Sequence, residues 1–186
     1  NLPDDGNEDG LTESTSGWVP YYPSHEISTS IDHVKRDGEV GYGDSYSIQV
    51  ATGGVSPLNA TGMYRAFDNP IKCNGPDGFK RLRFWLYWNR LSTGAPSSIK
   101  VLLFTNMTNY FYMDITGIAG SQSEWRKIEL SLESAWGVVG NPTWDYIVAV
   151  GFLIEFSSDA YPLMRVDHIV FEDARYSAKA EDIGSK

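Results

Sequence analysis

The chain has 186 residues, 41% of them hydrophobic, which suits one domain with a substantial core. A formal charge of −9 repels phosphate backbones and anionic membranes, which argues against nucleic acid and lipid surfaces as partners. No apolar run approaches the roughly 20 residues that span a bilayer.

Residues 1–17 are acidic and rich in Gly, Ser and Thr without a period, which predicts an arm or loop. Trp18 to Tyr22 predicts a short strand ended by Pro23, and Ile27 to Asp32 alternates as a second. Asp37-Gly38 and Gly41-Tyr42-Gly43-Asp44 are turn chemistry. Tyr46 to Ala51 is a clean alternating strand, Gly53 to Gly62 reads as a loop, and Met63 to Phe67 as a strand. Ile71 to Gly78 is a turn region leading into Phe79–Trp88. In that run Leu82, Phe84, Leu86 and Trp88 point one way, while Arg83, Trp85 and Tyr87 point the other. The first set is a core face. The second predicts an open aromatic platform beside a guanidinium.

Ile99–Thr105 and Tyr110–Ile115 flank Asn106-Met107-Thr108-Asn109 and predict a hairpin. Trp125 to Leu132 alternates as a strand, Ser134 to Trp144 reads as an ordered surface loop, Tyr146 to Phe156 as a buried strand, and Arg165 to Glu172 as the closing one. Roughly nine or ten short strands separated by turn signals, with no amphipathic helix, predict an all-β fold: a two-sheet antiparallel β-sandwich of jelly-roll type. The domain is expected over residues 1–176, with a polar tail over 177–186. The single Cys73 has no disulfide partner within the chain and reads as a small apolar filler.

The order of landmarks resembles the β-jelly-roll, galactose-binding-like carbohydrate-binding modules attached to secreted polysaccharide-degrading enzymes. The resemblance is carried by Asn7-Glu8-Asp9-Gly10 with Gly17-Trp18, by Gly43-Asp44-Ser45-Tyr46-Ser47-Ile48-Gln49-Val50, and by Leu82-Arg83-Phe84-Trp85-Leu86-Tyr87. Trp125-Arg126-Lys127-Ile128-Glu129-Leu130 and Val166-Asp167-His168-Ile169-Val170-Phe171 complete it. It implies non-catalytic binding of a polysaccharide or oligosaccharide by a secreted, monomeric module that is covalently part of a larger enzyme. It also implies a structural Ca²⁺ held by Glu8, Asp44 and Asp167, since calcium takes six to eight oxygens. The pattern departs at Asn7 and at Asp167-His168, where many members carry an aromatic and a second acid.

A sugar platform needs flat rings for pyranose faces and planar polar groups for hydroxyls. Arg83, Trp85 and Tyr87 offer these, and family-like sheet order would bring Tyr110, Tyr112 and Glu155 onto the same face. Trp136 and Trp144, with Gly137, Gly140 and Pro142 nearby, are the fallback site, read more simply as plugs at one end of the sandwich. Catalytic patterns are thin. No Glu-x-Asp-x-x-Glu array stands on a strand, His25, His33 and His168 form no zinc motif, and there is no Gly-x-Ser-x-Gly elbow. A glycoside hydrolase or polysaccharide lyase on the same sandwich, or a structural or adhesion domain, are the alternative readings.

Overall fold

A computed structural model describes residues 14–31, 46–91 and 94–173. These residues form eleven strands and no helix: β1 (Trp18–Pro20), β2 (Glu26–Ile31), β3 (Tyr46–Ala51), β4 (Ala60–Ile71), β5 (Arg81–Asn89), β6 (Ser98–Asn106), β7 (Asn109–Asp114), β8 (Arg126–Ser131), β9 (Gly137–Val139), β10 (Ile147–Glu155) and β11 (Leu163–Glu172). One sheet has the order β1-β4-β10-β6-β7-β9 and the other β2-β3-β11-β5-β8. All neighbours within a sheet are antiparallel. The expected two-sheet sandwich is therefore the fold, with the chain crossing repeatedly between layers. The tail 177–186 lies outside the described residues.

Two elements differ from expectation. β4 runs for 12 residues, well beyond Met63–Phe67 at both ends. Gly62 and Pro70 disguise it, and Pro70 falls where the ladder to β10 breaks register, so its missing N–H costs no regular bond. β9 lies inside the expected loop Ser134–Trp144. Three residues are too few to show a period, yet they pair with β7 and form the sheet's edge.

The core fills the space between the sheets as the alternation of β5 requires. Leu82, Phe84 and Leu86 are fully buried there, and Trp88 nearly so. Phe84 meets Phe152 of the facing sheet edge-on at 5.0 Å, and Trp18 adds a tilted contact to Phe152 at 6.4 Å. Burying each such ring contributes about 1.5–3 kcal/mol. At one end Trp144 stacks on Phe111 at 3.8 Å and meets Trp136 edge-on, while the Trp136 indole N–H donates to the Ser131 carbonyl at 3.0 Å. The loop tryptophans plug this end of the sandwich. Cys73 is sealed in the same core, and burial pushes its thiol pKa up to about 12, so it is an apolar filler at neutral pH. No helix among the described residues is long and apolar enough to cross a membrane.

Candidate binding groove

The six side chains expected on one platform lie on two opposite sheets. Arg83, Trp85 and Tyr87 do share the outer face of β5, but Trp85 is covered there. Trp85 is only 8% exposed. Arg83 is tied to Glu172 across β11, its Nε and Nη2 both 3.1 Å from Oε1. The Tyr87 ring is flanked by Trp125 at 5.4 Å and by the Arg165 guanidinium at 4.9 Å, while Arg165 Nε donates to Gln49 Oε1 at 2.7 Å. Tyr110, Tyr112 and Glu155 belong to β7 and β10 of the other sheet. The expectation of one shared face is corrected by topology: β5 pairs with β11 and β8, and neither β7 nor β10 lies beside it.

Asp167 is wholly buried beside a β-bulge, where one extra residue separates its pairing with Trp85 from that of Val170 with Arg83. His168 takes up the bulge at φ 50°, and its N–H donates to Asp167 Oδ1 at 2.9 Å. Glu8 and Asp44 lie outside the described residues. Among the described residues no group of three or more His, Cys, Asp or Glu is placed to hold a metal ion.

The outer face of the six-stranded sheet carries the aromatic surface. Registers fix its rows: Tyr64, Gly151, Leu102, Tyr112 and Gly137 stand abreast across β4, β10, β6, β7 and β9, and the next row holds Ala66, Ala149, Phe104, Tyr110 and Val139. Phe104 is buried between Tyr64 at 6.0 Å and Tyr110 at 5.3 Å. A wall rises where β1 stops at Pro20 and the chain turns over the sheet, with the Tyr21 N–H donating to the Gly62 carbonyl at 2.8 Å. Tyr21 and Tyr22 meet edge-on at 5.4 Å. Behind them His25 is buried, with Nε2 donating to the Val55 carbonyl at 3.1 Å and Nδ1 2.9 Å from the Thr61 hydroxyl, and its ring 5.2 Å from Tyr22. The result is a groove of about 340 Å³ lined by Tyr21, Tyr22, Tyr110 and Tyr112, with Lys100 and Glu155 among them.

No family model matches the chain, and no curated protein matches its sequence. Solved structures do. A family 11 carbohydrate-binding module from Clostridium thermocellum, in complex with a beta-1,3-1,4-mixed-linked tetrasaccharide, superposes with a TM-score of 0.55 at 15% identity over 87% of this chain and 92% of that one. The family 11 module of a cellulosomal cellulase from the same organism gives 0.53 at 13% over 85% and 88%. An exo-beta-agarase gives 0.60 at 10% identity, over 89% of this chain and 24% of the agarase. The chain folds as a carbohydrate-binding-module-like β-sandwich.

On this module-like sandwich the groove is chemically mixed. Its four tyrosines are half-buried and line the groove. Burial foremost, then Tyr110 and Glu155, raises the Tyr21 pKa, and burial, Glu155 and Tyr21 raise that of Tyr22. Both phenols therefore stay protonated donors beside the Glu155 carboxylate. The Lys100 ammonium stands 5.4 Å from the Tyr112 ring centroid, and among the described residues neither Lys100 nor Glu155 forms an ion pair. Donor and acceptor capacity is left for a ligand. Sequence reading missed Tyr21, Tyr22 and Lys100. The signal for Lys100 was present in the alternation of Lys100 and Leu102 on β6, directly across the hairpin from Asp114 and Tyr112.

Proposed function

We propose that the chain binds a polysaccharide or oligosaccharide in this groove without transforming it. The observation that carries the reading is the cluster of four half-buried tyrosines around an open concavity, with an ammonium and a carboxylate that form no ion pair among the described residues. Pyranose C–H faces stack on the rings, and sugar hydroxyls, which both donate and accept, pair with Lys100, Glu155 and the phenols. The similar module whose structure contains a mixed-linked tetrasaccharide supports it. Glycoside cleavage by the usual route needs two carboxyl groups flanking one bond, and Glu155 is the one carboxylate lining the groove among the described residues. Attachment to a larger secreted enzyme belongs to the same proposal, with tethering raising the local substrate concentration.

The test is retention on native gels containing mixed-linkage glucan, xylan, agarose or soluble cellulose derivatives. Wild type is retarded by at least one of them, and Tyr110→Ala/Tyr112→Ala weakens that affinity at least about tenfold, equivalent to about 1.4 kcal/mol. Equal retention of wild type and variant removes the groove from the reading, and release of reducing ends or unsaturated products replaces binding with catalysis.

We propose also that calcium stabilises the sandwich through Asp167. Its carboxylate is a buried hard oxygen donor beside the β-bulge, the type of ligand that calcium takes. EDTA is expected to lower the melting temperature and Ca²⁺ to restore it. At a free calcium concentration of 100 Kd the linkage is worth about 2.7 kcal/mol. Identical melting in EDTA and Ca²⁺ removes the ion.

A further inference from the structure

Gly137 occupies an outward-facing position in β9, directly opposite Tyr112 in β7. A Cβ built there would lie 2.2 Å from Cζ, 2.4 Å from Cε1 and 2.5 Å from Cε2 of Tyr112. Those three distances are nearly equal, so the missing methyl would strike the face of the ring and not its edge. The phenol end of Tyr112 therefore lies flat on the Gly137 backbone. Gly137 does not have a positive φ, so its conformation is one that any residue adopts. Space, and not backbone geometry, is what calls for glycine. Glycine inside a strand sacrifices side-chain packing and marks a place where another group approaches closely. Here that group is the ring, and the edge strand is only three residues long.

We infer that Gly137 is the positioning residue that lays Tyr112 down and so extends the binding floor to the sheet edge. The inference rests on the glycan-binding reading of the groove. With the ring flat, its outer face turns toward the ligand. A methyl at residue 137 tips the ring up, replacing that face with an edge and moving the ring relative to the Lys100 ammonium.

The experiment is a double-mutant cycle read by affinity electrophoresis on whichever polysaccharide retards wild type, together with NMR of the Gly137 Hα protons. Gly137→Ala is expected to bind at least tenfold more weakly while melting within a few degrees of wild type. Tyr112→Ala is expected to lose a similar factor. The double variant should bind no worse than Tyr112→Ala alone, because the ring that suffers the clash is gone. A structural defect at the edge would instead multiply the two losses. In wild type, ring current shifts the Gly137 Hα signals upfield, and Tyr112→Ala abolishes that shift. Wild-type affinity in Gly137→Ala, multiplicative losses in the double variant, or no ring-current shift overturns the inference. A clear ring-current shift in a protein that no polysaccharide retards sinks the role of Gly137 in binding through failure of the groove reading, while the ring contact itself stands.

Discussion

Trp85→Ala is expected to cost about 3–5 kcal/mol of stability, the range for removing a large buried ring, and to leave polysaccharide retention unchanged. Trp85 is 8% exposed on the outer face of the five-stranded sheet, while the groove lies on the outer face of the six-stranded sheet. Packed sheets stand about 10 Å apart, so both layers and the core separate the two surfaces. Urea denaturation reads the first effect and affinity electrophoresis of the folded variant reads the second. The reverse pattern, full stability with lost retention, would return the binding site to Arg83, Trp85 and Tyr87. The sequence favours that outcome, since two rings and a guanidinium alternate outward along one strand. The structure answers it with contacts: Trp85 is covered, Arg83 is committed to Glu172, and Tyr87 sits between Trp125 and Arg165.

What the sequence makes legible is local. The two-residue period of β5 tells which of its side chains enter the core, and Leu82, Phe84, Leu86 and Trp88 are all there. The Asn106–Asn109 turn tells that β6 and β7 are neighbours, which holds pair by pair from Lys100 with Asp114 to Phe104 with Tyr110. Period does not tell which sheet a strand joins. In a sandwich with repeated crossovers, Tyr87 and Tyr110 can belong to consecutive regions of chain and face opposite sides of the molecule. The wall of the groove was hidden for another reason. Trp18 to Tyr22 reads as one strand, but β1 ends at Pro20; Tyr21 keeps one more in-register bond to the Gly62 carbonyl, and the chain then turns, with the His25 N–H donating to the Tyr22 carbonyl at 2.9 Å. The groove was therefore half present in the sequence: Tyr110, Tyr112 and Glu155 by residue type, Lys100 by its alternation with Leu102 on β6, and Tyr21 and Tyr22 only through the fold.

β10 joins stability to site, because its alternation serves two surfaces at once. Val150, Phe152 and Ile154 enter the core, while Gly151, Leu153 and Glu155 alternate outward, and Leu153 and Glu155 line the groove. Phe152 is 1% exposed, bridges the layers through Phe84 at 5.0 Å, and contacts Trp18 of its own sheet at 6.4 Å. Phe152→Ala leaves a cavity that neither ring can fill without leaving its rotamer, and the expected cost is about 3–5 kcal/mol. In urea the midpoint should fall while the slope stays constant, because the surface exposed on unfolding hardly changes. In a scan the melting temperature should drop by roughly 2–4 °C per kcal/mol for a chain of this size. Retention should decline only as the folded fraction declines, since the removed ring points away from the groove. A folded Phe152→Ala protein that is not retarded would mean that core packing under β10 sets the groove floor directly, and a midpoint equal to that of wild type would mean that Phe152 does not bridge the sheets as placed.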